Sequence, residues 1–200
     1  MEEINLGKYI KNLYNRDKDV FHAFNKVGNL NNNHLNQLGL SDTRIKNYCR
    51  EGYMQKIEYQ IKGSKENGIA YKLTDKGKEV GANKFGLSLY AQNTAVRHNL
   101  DLADKYIKLS EEERQSVLNE REVREVVQSQ IASLEQPSER YMYQQMLDQG
   151  ELSMPDFIYV SEQGQTIAYE TITNNYGESE IQAKIETCEF LKIEYQFNKI

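Results

Sequence analysis

The 200-residue sequence has no tryptophan, two prolines, two cysteines and three histidines. Each scarcity removes a class. Cys49 and Cys188 lie far apart and belong to no Cys-x-x-Cys or Cys/His cluster, which argues against structural zinc and a disulfide framework and fits a reducing cytoplasm. No apolar run approaches the ~18 residues a membrane span needs. Met1 leads into Glu2 and Glu3, not into a basic region with an apolar core, so no signal peptide is read. No Gly-rich phosphate loop, Gly-x-Ser-x-Gly elbow or His-Glu-x-x-His pair occurs. Hydrophobic content is 38 %, low for a globular chain, but 14 Tyr and 6 Phe supply core material, so the expectation is a folded protein with a wet surface.

The net charge of −5 hides a step along the chain. Residues 1–90 carry 15 Lys/Arg against 10 Asp/Glu; residues 91–200 carry 10 against 20. A basic first part can face a polyanion that the acidic second part avoids. The step divides the chain into domains 1–90 and 91–200.

Apolar spacing of three and four predicts a helix over residues 4–14 and another from Val20 to Val27, closed by Gly28. Asn31 to Asn33 read as turn and cap, followed by a short helix ending at Gly39. Ser41 caps a further helix with Ile45, Tyr48 and Cys49 on its buried face, ending at Gly52. The period then changes to two: strands over 53–61 and 69–73 flank a polar loop and form a hairpin. Thr74 caps a helix ending near Gly81. Residues 87–101 are ambiguous; 102–134 read as mostly helical, broken at Ser110, whose capping box precedes three glutamates. Residues 135–140 read as a turn or linker. A strand at Phe157–Val160, a turn at Gly164, a strand at Thr166–Thr171, a helix at Ser179–Leu191 and a strand through Ile193, Tyr195 and Phe197 complete an α+β chain.

Over residues 20–81, the order of helices, turn and hairpin carries Leu35-Asn36-Gln37-Leu38-Gly39-Leu40-Ser41, Gly52-Tyr53-Met54 and Tyr71-Lys72-Leu73-Thr74 at matching places. It resembles the winged helix-turn-helix family, whose third helix enters the DNA major groove. With Ile45, Tyr48 and Cys49 facing inward, Ser41, Thr43, Arg44, Lys46, Asn47 and Arg50 are the expected DNA-facing residues. Arg44 and Asn47 have the fork chemistry suited to guanine and adenine edges, and Ser41, Lys46 and Arg50 suit phosphates. Lys62, Ser64, Lys65 and Asn67 on the wing suit the adjacent backbone or minor groove.

In the acidic half, Pro155-Asp156 opens one strand and Glu170 lies in the next, an arrangement that can bring two carboxylates to adjacent strands and hold Mg²⁺. This resembles a degenerate restriction-endonuclease-like core: the signature lysine position holds Ile172. The candidate replacement is Lys184 on the following helix, making Asp156, Glu170 and Lys184 the candidate catalytic set and Asp156 and Glu170 the candidate metal ligands, with Glu120 or Glu122 as a further acid. Without nuclease activity no cofactor is expected. His98 reads as a helix-capping or core histidine before a catalytic one, His34 as structural or phosphate-facing, and the tyrosines as core fillers before nucleophiles. A stripe of Val123, Val126, Val127, Ile131 and Leu134 reads as core or as a dimerisation face.

Together, the winged helix, Arg97-His98-Asn99-Leu100, Glu120-Arg121-Glu122, Pro155-Asp156, Tyr169-Glu170 and Lys184 stand in an order similar to that of the replication-relaxation family of plasmids and other mobile elements. The resemblance implies a cytoplasmic, sequence-specific double-stranded DNA-binding protein acting in replication, mobilisation or regulation, with the acidic domain serving a homodimer or a protein partner. Two alternatives stand beside it: a metal-dependent DNA nuclease, and an interaction protein that blocks a host DNA-binding enzyme.

Overall fold

The computed structural model describes residues 8–61, 63–89, 95–174 and 176–200. The chain is mixed α and β and divides into two compact units, Met1–Lys108 and Leu109–Ile200.

In the first unit, residues 8–14 form a non-helical arm leading into α1 (Asn15–Val27). The described part of the helix expected over 4–14 is therefore absent. Its apolar spacing serves a different purpose: Ile10 is buried in the core while Lys8, Tyr9, Lys11 and Asn12 are exposed around it. β1 (Leu30–Asn31) precedes α2 (Asn32–Gln37), where Asn31 accepts the His34 N–H as N-cap. Gly39 turns the chain at φ +88°, a conformation L side chains rarely adopt, into α3 (Asp42–Arg50), capped by Ser41. β2 (Met54–Gln60) and β3 (Asn67–Leu73) form the expected hairpin, and β1 adds to the far side of β3, giving the sheet order β1-β3-β2.

Thr74 caps α4 (Asp75–Phe85), which runs through Gly81 and stops at Gly86 instead. Gly77 is fixed by packing: a Cβ there would lie 2.1 Å from the Tyr53 carbonyl oxygen. The aromatic centre is built from Phe21, Tyr48 and Tyr53, with ring centroids 5.7 Å (Phe21–Tyr48) and 5.9 Å (Tyr48–Tyr53) apart. Each such ring removed from water contributes roughly 1.5–3 kcal/mol.

α5 (Val96–Lys108) belongs to this unit, so the division falls after Lys108 and not near residue 90. Polar contacts on α1, the turn before β1, and α2 hold it: His22 Nδ1 lies 3.0 Å from the Tyr106 hydroxyl, Asn99 donates to Asn29 at 2.8 Å, and His34 Nε2 lies 2.7 Å from Asp104. The Asn31 N–H donates to His34 Nδ1, which leaves the ring proton on Nε2 to donate to Asp104. His34 is thus structural.

In the second unit, Ser110 caps α6 (Glu111–Ser116) with the expected capping box, followed by β4 (Leu118–Asn119) and α7 (Glu120–Ser133). Val123, Val127 and Ile131 of the valine stripe are buried; Val126 is exposed. Residues 137–140, expected as turn or linker, instead open α8 (Pro137–Gln149), with Pro137 at the helix start where its missing N–H costs nothing. β5 (Phe157–Val160) and β6 (Thr166–Ile172) are antiparallel. α9 (Glu178–Leu191) then carries the chain across so that β7 (Glu194–Lys199) pairs parallel to β6. The sheet order is β4-β5-β6-β7. One face is covered by a core of Val127, Ile131, Leu152, Met154, Cys188 and Phe190.

Candidate functional site

α3 presents the first candidate surface. Its inner face is set by Ile45 and Tyr48, both buried, with Cys49 half-buried beside them. One hundred degrees per residue then turns Thr43, Lys46, Asn47 and Arg50 outward. Thr43, Lys46 and Arg50 are exposed and Asn47 is half-buried. Ser41 is exposed, with its hydroxyl accepting the Arg44 N–H as a cap. On the hairpin, Lys65 and Asn67 are exposed, while Ser64 is half-buried and accepts the Glu66 N–H. Lys62 lies outside the described residues.

Arg44 departs from its expected outward position. It lies on the flank of the helix, and its guanidinium reaches α1, where Nε and Nη2 donate to Asp17 at 2.7 and 2.6 Å. Nη2 also donates to the Asn12 carbonyl at 2.8 Å. Asp17 is fully buried and takes two further donors, the Tyr48 hydroxyl and the Tyr14 N–H, each at 2.7 Å. Burial, the largest single influence, opposes the Arg44 charge, but the hydrogen bonds and charge interactions with Asp17 and Tyr48 together outweigh it and hold the guanidinium above its ordinary pKa. Burial, reinforced by the Asp17 carboxylate, also pushes the Tyr48 phenol far up. A forked cation spent in this way is not available to a guanine edge. The residues that capture it, Asp17 and Tyr48, carry no local signal: 27 residues separate Asp17 from Arg44.

The second unit brings Asp156, Glu170 and Lys184 together, as their spacing suggested. Asp156 precedes β5, Glu170 lies on β6, and Lys184 comes from α9. The Asp156 N–H donates to Glu170 Oε2 at 2.9 Å, and the Thr171 N–H donates to Asp156 Oδ2 at 2.8 Å. Lys184 Nζ sits 2.9 Å from Glu170 Oε1 and donates to the Met154 carbonyl at 2.8 Å. Tyr176, which no motif or spacing nominates, donates its hydroxyl to Glu170 Oε1 at 2.9 Å. Burial, then the neighbouring Asp156 charge, raises the Glu170 carboxyl to about 7. Burial and Glu170 together push the Tyr176 phenol up.

Mg²⁺ demands near-octahedral oxygen ligation and usually keeps several waters. Glu170 is 0 % exposed and Asp156 4 %. Both Glu170 oxygens already receive protein donors, and the Lys184 ammonium rests on one of them. The additional acids do not complete a cage: Glu122 turns its carboxylate onto the Asn119 N–H, and Glu120 meets Asp156 through its backbone N–H, 3.1 Å from the carbonyl. Among the described residues no three acidic, His or Cys side chains group to hold a metal ion. The donor set therefore does not fit a resident cation; a lysine occupies the place of the positive charge.

Both cysteines are free thiols. Burial raises Cys49 and pushes Cys188 up to about 11, which makes each a poor nucleophile. No described helix is long and apolar enough to cross a membrane. Compared with protein-family models, curated proteins and solved structures, the chain has no match.

Proposed function

We propose that the chain is a sequence-specific double-stranded DNA-binding protein, with its first unit a winged helix-turn-helix. The supporting observation is one helix face: Thr43, Lys46 and Arg50 stand exposed along α3, with Asn47 between them and the β2–β3 hairpin following it. Donors at such positions reach base edges, and cations beside them meet phosphates. Because Arg44 is held by Asp17, base selection falls to Asn47 and Thr43, and phosphate contact to Lys46 and Arg50. Ser41 at the helix start and Lys65 and Asn67 on the hairpin reach the flanking backbone. The replication-relaxation resemblance adds a mobile-element setting to this reading.

The second unit, on this proposal, is a nuclease-like core that has lost its metal and serves protein contacts. The strand order, with β6 and β7 parallel through α9, and the convergence of Asp156 with Glu170 support the ancestry. The ion pair to Lys184 supports the loss.

Fluorescence anisotropy on labelled duplexes tests the first claim. Asn47→Ala with Thr43→Ala should flatten the preference among duplex sequences, each lost base contact costing about 1–3 kcal/mol. Lys46→Ala with Arg50→Ala should weaken all duplexes alike. Equal affinity of wild type and both variants for every duplex contradicts the reading. Metal-dependent cleavage of plasmid DNA, abolished by Asp156→Ala, contradicts the second claim.

A further inference from the structure

We propose that the arm of residues 8–14, with the first turn of α1, is a second duplex-contacting surface that grips phosphates beside the groove α3 enters; this rests on the DNA-binding reading above. The arm runs antiparallel along one flank of α3. The Tyr9 N–H donates to the Glu51 carboxylate just past the end of that helix, and the Asn12 carbonyl accepts from Arg44 near its start. Ile10, 1 % exposed, pins the arm to the core, so its outward side chains have a fixed address.

Those side chains combine cations with tyrosines. Tyr9 and Tyr14 are 46 % and 51 % exposed. The Lys8 ammonium lies 5.7 Å from the Tyr9 ring centre and the Arg50 guanidinium 5.5 Å from it. Arg16 and Arg44 each lie 5.3 Å from the Tyr14 ring centre. A ring under a cation restricts a flexible side chain, which lowers the entropy lost when that cation meets a phosphate. Lys11 is exposed between the two tyrosines.

Arg16 gives an independent indication. It sits in the first turn of α1, where the helix dipole disfavours a cation, and it makes no ion pair within 4 Å among the described residues that would offset the cost. Of the nearby acids, Asp17 is neutralised by Arg44 and Glu51 is engaged by the Tyr9 N–H. The charge left on this flank is Lys8, Lys11, Arg16 and Arg50 against the Glu51 carboxylate, which keeps its charge under the neutral Tyr9 N–H. Duplex phosphate is favoured over stacked single-stranded bases because the tyrosine rings already carry cations.

The test compares full-length wild type with Lys8→Gln/Lys11→Gln/Arg16→Gln on a labelled duplex of arbitrary sequence and on a single strand, across a salt series. Each lost phosphate contact reduces the slope of log K against log salt by about 0.9, so the triple variant should lose about 2 to 3 in slope on any duplex. Its circular dichroism melt should match wild type, since every changed side chain is exposed. Tyr9→Ala, which frees Arg50 without removing charge, should weaken duplex binding with the slope kept. Wild-type binding with an unchanged slope in the triple variant overturns the arm's role and leaves α3 standing. A slope change confined to the single strand overturns the assignment to duplex. No duplex binding by wild type overturns the DNA-binding reading itself.

Discussion

Asp17→Ala is the substitution with the largest calculable consequence in the first unit. The carboxylate has no exposed surface and accepts four donors: Arg44 Nε and Nη2, the Tyr48 hydroxyl and the Tyr14 N–H, all within 2.6–2.7 Å. Removing one partner of a buried ion pair costs about 3–5 kcal/mol, and a phenol left without its acceptor adds about 1–3 kcal/mol. The Arg44 side chain keeps 16 % of its surface in water, which places the ion-pair loss at the low end, and the losses overlap. The expected destabilisation is about 4 kcal/mol, a large share of the roughly 5–15 kcal/mol that holds a domain together. Arg44→Met added to Asp17→Ala should recover part of it, about 2 kcal/mol of coupling, because the unpaired charge goes too. Two units unfold in one chain, so the assay is hydrogen exchange by mass spectrometry along a urea series, followed on peptides from α1 and α3. A cost under about 1 kcal/mol, or strict additivity with Arg44→Met, would refute the claim that Arg44 is committed to the core.

Two further outcomes follow from the geometry. Glu170 has its carboxyl raised to about 7 against an ordinary 4.5, so between those values the folded chain holds more protons than the unfolded one. Stability of the second unit should therefore fall as pH rises through that window, and Glu170→Gln should flatten this part of the profile in denaturation at stepped pH; a profile rising there, or identical in the variant, refutes the assignment. Gly77→Ala should destabilise the first unit by more than Gly68→Ala in thermal melts, because its Cβ meets the rigid Tyr53 carbonyl at 2.1 Å whereas at Gly68 it meets the movable end of the Tyr59 ring at 2.5 Å. Equal shifts would show that the contact of α4 with the Tyr53 carbonyl yields as readily as the Tyr59 ring.

Local chemistry was legible in the sequence where a single residue settles it. Ser41, Thr74 and Ser110 cap the helices they were expected to cap, because a short hydroxyl side chain before an apolar repeat has few other uses. The alternation of Ile57, Tyr59, Ile69 and Tyr71 marked the hairpin. The arm was misread because Ile10 and Leu13 fall at helical spacing, and spacing alone cannot separate a helix from an extended segment with one buried anchor. α8 escapes such a reading for the opposite reason: Tyr141 and Met142 are exposed and Leu147 is its one buried residue, so its periodicity is faint. The charge step between the halves was real, but α5 continues the basic unit past residue 90 through His34, His22 and Asn29, none of which signals a distant partner. The convergence of Asp156 and Glu170 was readable from a hairpin, and Lys184 from the helix after it. That the lysine would close the site to metal was not, because it depends on burial and on Tyr176. Arg44 was nominated by residue type and lost to an acid on another helix.

The central claim is sequence-specific recognition by the outer face of α3. Incubating purified full-length protein with fragmented genomic and plasmid DNA, then sequencing the retained fragments, tests it directly. The account predicts a shared duplex motif enriched by wild type and lost with Asn47→Ala/Thr43→Ala, while Arg44→Lys leaves the motif intact at lower protein stability. Retention without any common motif, or a motif unchanged by the α3 substitutions and altered only at Arg44, would contradict it.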